Sequence, residues 1–144
     1  MRLHENPALF KQAIAFTAQQ MEILDIYMEK DYWVTLALHT IFENEIGKET
    51  VFKGGTALSK CFGIIERFSE DIDLVVLQAE DESGNQLKKK LKKTTELVGT
   101  KIEEFEIKGI TNKKGRIRKT AYNYAKQFKG EFGQVRDVIV VEAT

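Results

Sequence analysis

A chain of 144 residues, 42% hydrophobic and 31% charged, is long enough for one buried core, short for two, and too apolar to be disordered. No run approaches the ~20 apolar residues of a membrane span, and no apolar signal core follows Met1 and Arg2, so a cytoplasmic protein without membrane attachment is expected. Its 22 basic and 22 acidic side chains cancel, but unevenly: residues 1–87 carry 7 Lys and Arg against 15 Asp and Glu, and residues 88–144 carry 15 against 7.

A basic second half points to a polyanionic partner or a phosphate-rich substrate, the plainer account being a solvated helix face. The single cysteine, Cys61, cannot form an internal disulfide, which agrees with a reducing compartment. It reads as a buried spacer rather than a nucleophile.

Asn6-Pro7 predicts a helix start, an N-cap followed by proline at the first helical position. Leu9, Phe10, Ala13, Ile14, Phe16 and Thr17 then keep helical spacing. A second helical segment is expected from Ile23 and Leu24, and a third over about Lys30 to Asn44 with Trp33, Leu36, Ala37, Ile41 and Phe42 inward. In that third segment Lys30-Asp31-Tyr32-Trp33 reads as a polar-to-aromatic helix start, Asp31 favouring the dipole. His39 reads as a packed or surface residue, and His4 as part of a mobile N-terminus.

Val51-Phe52-Lys53 predicts a short strand that leaves through Gly54 and Gly55, where positive φ is accessible and no Cβ blocks a ligand. A helix over Thr56 to Ile65 follows, with Leu58, Cys61, Phe62 and Ile65 on one face. Free amides at its start suit an anion, though at only ~1 kcal/mol, so a triphosphate would need a cation as well.

Leu74-Val75-Val76-Leu77 is apolar with a β-branched pair at its centre, which predicts a strand starting near Asp71. Asp71 and Asp73, at i and i+2, then project from the same face. Two carboxylates ~6 Å apart repel by roughly 3 kcal/mol at an effective dielectric of ~20, unless one is protonated or a hard cation lies between them. Mg²⁺ is the expected occupant, since it takes one or two carboxylates together with substrate phosphates. The competing reading makes Ser69-Glu70-Asp71 a helix cap with solvated acids.

Ala79 to Asn85 is a polar linker. Gln86 to about Lys101 then predicts a helix with Leu87, Leu91, Thr94, Leu97 and Val98 inward and Lys88, Lys89, Lys90, Lys92 and Lys93 around them. Those lysines suit nucleic acid or simple solubility, and no aromatic residue is interleaved for stacking. Strands are expected over Glu104 to Lys108 and Thr120 to Phe128, with turn chemistry from Thr111 to Arg116. Lys129 to Gln134 would close a hairpin onto Val138 to Val141, which ends in Glu142. Arg116, Arg118 and Lys119 begin one hairpin arm, where phosphates would be in reach.

K-G-G-T-A-L-S-K-C-F from Lys53, followed by R-F-S-E-D-I-D-L from Arg67, resembles the first active-site motif of the AbiEii/AbiGii-type nucleotidyltransferases. These are toxins of toxin–antitoxin and phage-abortive systems with a polymerase-beta-like minimal nucleotidyltransferase fold. The likeness runs from about Met28 to Leu77, and more loosely to Glu142. It implies an α+β chain, a single nucleotidyltransferase-like domain over 1–144, helical over 1–50 and carrying the catalytic motifs over 51–144. Its mixed β-sheet would be flanked by N-terminal helices and a basic helix.

The resemblance also implies chemistry. An NTP would lie over Gly54, Gly55 and Thr56, with Thr56 or Ser69 donating to a phosphate oxygen and Lys53, Lys60 or Arg67 facing the departing pyrophosphate. Asp71 and Asp73 would hold Mg²⁺, with Mn²⁺ as an alternative, and Glu142 would supply the third carboxylate of two-metal nucleotidyl transfer, with Asp137 as fallback. Lys30 and Asp31 match a K-D-Y/W element and enter as supporting residues. The acceptor would be a hydroxyl of tRNA, another RNA or a protein, and a cognate antitoxin is the expected partner. The chain ends two residues past Glu142 where the resembling proteins continue, so a C-terminally short member is expected. A non-catalytic nucleotide- or RNA-binding remnant and a protein-interaction module are the alternatives.

Overall fold

The structure is a computed structural model that describes residues 1–57, 60 and 71–144. The expected helix beyond Ala57, with Leu58, Cys61, Phe62 and Ile65, lies outside the described residues, as do Arg67 and Ser69.

Helix α1 (Pro7–Met21) begins as its sequence dictates: the Asn6 side chain accepts from the Leu9 amide at 3.2 Å, and proline occupies the first turn. Such a cap contributes ~1 kcal/mol. Its buried stripe is Phe10, Ile14 and Ala18. Leu9 and Phe16 point to solvent, which corrects the broader stripe expected. Glu22 then adopts the left-handed conformation (φ 56°) that closes the helix.

Helix α2 (Asp25–Phe42) is continuous, so the two helical segments expected here are one. No glycine or proline interrupts residues 25–42, and nothing else on the stretch stops the amide ladder. Lys30 and Asp31 accordingly lie inside a helix, not at a helix start. His4 is not mobile but packed: its Nδ1 lies 2.8 Å from the Tyr32 hydroxyl and its ring 4.9 Å from that of Trp33.

A 3-10 turn (Glu45–Glu49) leads into β1 (Thr50–Lys53), followed by the short helix α3, described over Gly54–Ala57. Then come β2 (Asp71–Val76), α4 (Gly84–Gly99), β3 (Glu103–Phe105), β4 (Arg118–Asn123) and β5 (Ile139–Ala143). Helix α4 opens with a capping box, the Gln86 amide donating to Ser83 Oγ and the Ser83 amide to Gln86 Oε1. Lys90 is not part of a free basic face, because Glu49 and Glu82 both pair with it.

Among the described residues, five strands form one mixed sheet in the order β1-β2-β5-β4-β3, with only the β2–β5 pair parallel. The fold is therefore α+β, consistent with a minimal nucleotidyltransferase. One sheet face packs on α2 and α4: Ile72, Leu74, Ile139, Val141 and Tyr122 join Trp33, Leu36, Ile41, Leu87, Leu91 and Val98 in the main core. Strand β4 stops at Asn123, short of the predicted Phe128.

Residues 124–138 instead form a long connection pinned to α2. Tyr27 donates to the Phe132 carbonyl, and the buried Glu29 carboxylate accepts from the Gln127 and Phe128 amides at 2.6 and 3.3 Å. Those amides have no strand partner to satisfy them, and Glu29 supplies one. No described helix is long and apolar enough to cross a membrane.

Candidate active site

Alternation along β2 sends Asp71 and Asp73 to the face opposite the main core, while Ile72, Leu74 and Val76 are buried beneath. The register then makes direct neighbours of Lys53, Asp73, Glu142 and Lys119 on β1, β2, β5 and β4. Cross-strand partners share a face with Cβ atoms ~5 Å apart, so this is a row of cation, acid, acid, cation. A second row on the same face runs Asp71, Val140, Ala121, Phe105.

The glycine turn touches the first row. Gly54 has φ 85°, and a Cβ placed there would stand 2.6 Å from Asp73 Oδ2. Only a residue without a side chain allows the turn to lie this close to the carboxylate. Burial, then the negative charges of Glu142 and Asp71, push the Asp73 carboxyl above its usual range, against the pull of Lys53 and Lys119. Lys119 Nζ lies 3.5 Å from Glu142 Oε2. On Asp71, Oδ2 accepts from Arg136 Nη1 at 2.5 Å, and Oδ1 is buried without a hydrogen-bond partner among the described residues.

An all-oxygen donor set, a buried carboxylate oxygen lacking a partner among the described residues and an acid raised by burial and then by two neighbouring acids are features that one hard divalent cation would answer. The residues present therefore fit Mg²⁺ or Mn²⁺. Among the described residues, no three acidic, histidine or cysteine side chains are already gathered tightly enough to hold a metal. Arg136 pairs with Asp71 and Lys119 with Glu142, contacts that a cation bound there would replace.

A family model described as "Nucleotidyl transferase AbiEii toxin, Type IV TA system" matches residues 37–144, three quarters of the chain. The chain belongs to the AbiEii family. No curated protein matches it. The matched AbiEii span begins inside α2 and takes in the whole sheet, including both rows of the acid-bearing face.

The other residues singled out in this AbiEii chain are placed differently from one another. Lys53 and Gly54 are exposed beside Asp73, and Gly55 is half-buried. Thr56 is 1% exposed, so its hydroxyl sits behind the turn and not on its open side. Lys60 pairs with Asp31 at 2.8 Å. Lys30 is buried, and its Nζ donates to the Arg136 carbonyl at 2.8 Å, which supports the residue paired with Asp71. Asp137, exposed, precedes β5 and is not in the row that contains Glu142.

Arg136, Lys119 and Glu29 are the residues sequence reasoning missed in these roles. Alternation from Glu142's strand partner could have found Lys119. Nothing local marks Arg136, which meets Asp71 across 65 residues of chain.

Proposed function

We propose that the protein is a Mg²⁺-dependent nucleotidyltransferase that moves an NMP from an NTP to a hydroxyl of an RNA acceptor, as a toxin checked by a cognate antitoxin. The observation that carries this is the row Lys53–Asp73–Glu142–Lys119 with the Gly54 backbone against Asp73, on the face opposite the main core. Family membership supports nucleotidyl transfer and the toxin role; the basic second half of the chain favours RNA over a protein acceptor.

The NTP phosphates lie along the Gly54–Gly55 turn, where no Cβ intervenes, and Lys53 faces the negative charge of the departing pyrophosphate. Asp71 and Asp73 would hold the cation, which would neutralise phosphate charge and favour ionisation of the attacking hydroxyl. Glu142, one strand from Asp73, orients the acceptor hydroxyl, with Lys119 steadying its carboxylate. Catalysis is thus placement and charge stabilisation, without a covalent intermediate on the protein.

Transfer of label from an α-labelled NTP to total tRNA tests this. Asp71→Ala or Asp73→Ala lowers Mg²⁺-dependent transfer by about 10³-fold with the fold intact by circular dichroism. Transfer unchanged in both variants contradicts the assignment. Because Arg136 and Lys119 already compensate two of the acids, nucleotide binding without transfer would favour the non-catalytic reading.

A further inference from the structure

We propose that the cavity flanking Asp71 on the β4–β3 side of the sheet seats the terminal nucleoside of the RNA acceptor. This rests on the nucleotidyl-transfer reading and deepens it. The cavity, about 490 Å³, is lined by Phe105, Ile107, Ile110, Val138, Asn123 and Arg136 among others. Its volume falls within the ~300–1,000 Å³ of small-molecule sites.

Register places it. Phe105, Ala121, Val140 and Asp71 are successive cross-strand partners, so the ring of Phe105 and the carboxylate of Asp71 belong to the same face. Ala121, Val138 and Val140 form a small apolar cluster against which Phe105, Ile107 and Ile110 pack. Arg136 is common to both places, lining the cavity while its guanidinium pairs with Asp71. The cavity therefore lies on the same face as the acids, with Arg136 between it and Asp71.

Direction assigns the occupant. In phosphoryl transfer the attacking and leaving oxygens lie roughly in line through the phosphorus. The glycine turn sits on the β1 side of Asp73, so pyrophosphate departs toward β1 and the acceptor hydroxyl approaches from β5 and β4. The cavity lies on that approach. Its apolar wall suits the flat face of a base, and exposed Asn123 offers a donor and an acceptor to the base edge. Lys126, 3.0 Å from Asn123 Oδ1, puts a cation near the rim where the adjoining phosphate would pass.

The test uses the full chain, Mg²⁺ and two fluorescent single-stranded oligoribonucleotides of the same mixed sequence, one with an intact 3′-terminal nucleoside and one with an abasic 3′-terminal ribose. By anisotropy the wild type binds the intact probe about tenfold tighter, a preference of the size one stacked base supplies. Phe105→Ala reduces that preference to within about twofold, and Asn123→Ala, on the exposed rim and harmless to folding, reduces it about threefold. Affinity for Mg²⁺–NTP by calorimetry is unchanged in both.

Equal binding of the two probes by the wild type, or a preference surviving in both variants, overturns the assignment. So does a loss of NTP affinity in the variants, which would give the cavity to the incoming nucleotide, or NTP binding with no binding of either probe, which would point to a protein acceptor. A wild type that binds no Mg²⁺–NTP at all fails at the earlier step and removes the transfer reading itself.

Discussion

The two faces of β2 and β5 are built from alternate residues of the same two strands, yet they obey opposite rules. Beneath, Ile72, Leu74, Ile139 and Val141 are fully buried and packed against α2 and α4. Above, one residue away in each case, Asp71, Asp73 and Glu142 stand together with Arg136, Lys119 and Lys53 around them. The lower face stabilises the fold by burying apolar side chains, where an unpaired polar group is costly. The upper face keeps three acids close at an electrostatic cost, relieved in part by ion pairs with two cations. A sheet with so well packed an underside can hold such a cluster in register, and the acids occupy the face that contributes least to the core.

The lower face should break hardest. Ile72→Ala, at a fully buried site in the second strand of the sheet, costs about 2–5 kcal/mol of stability, readable from urea denaturation. A loss under about 1 kcal/mol would show that β2 is not clamped from below. Next in size is the seam between turn and acids: Gly54→Ala combines positive φ with a Cβ directed at Asp73, costing about 1–3 kcal/mol and lowering NTP affinity at least about tenfold. An unchanged NTP affinity would separate the turn from the nucleotide.

The upper face should respond to pH with a defined sign. With its carboxyl raised above the usual range, folded Asp73 retains a proton that the unfolded chain has already released. Stability of the metal-free protein therefore declines as pH rises from the ordinary aspartate range through the raised one. Asp73→Asn removes that part of the decline, leaving a slope of the same sign from Glu29, whose carboxyl is also raised, chiefly by burial. Binding of Mg²⁺–NTP releases the Asp73 proton, so affinity grows across the same pH window. Denaturation curves over a pH series that are identical in wild type and Asp73→Asn would sink this.

Much of the fold was legible locally. Asn6-Pro7 announced α1, the apolar run announced a strand at Asp71, and i,i+2 spacing placed both aspartates on one side. The basic helix began two residues earlier than expected because Ser83 and Gln86 form its capping box. What failed depended on distant partners. Helix α2 runs through the proposed boundary near Lys30, and β4 stops at Asn123 because the next amides turn to Glu29, 98 and 99 residues away. The two aspartates and the glycine turn form adjacent sequence motifs, and the structure brings them together. Lys119 is placed by strand register, and Arg136 by the connection ahead of β5 that Lys30 holds, neither of them by a pattern local to the aspartates. The expectations for Arg67 and Ser69 fall outside the described residues.

Asp71, Asp73 and the Gly54 turn are proposed to share one divalent ion with a nucleotide. Mn²⁺ titration followed by electron paramagnetic resonance, with and without NTP, tests it most directly. The account predicts one tight Mn²⁺ site per chain that forms with NTP present and is lost in Asp73→Asn. Equal Mn²⁺ uptake by wild type and variant, or uptake indifferent to NTP, would contradict it.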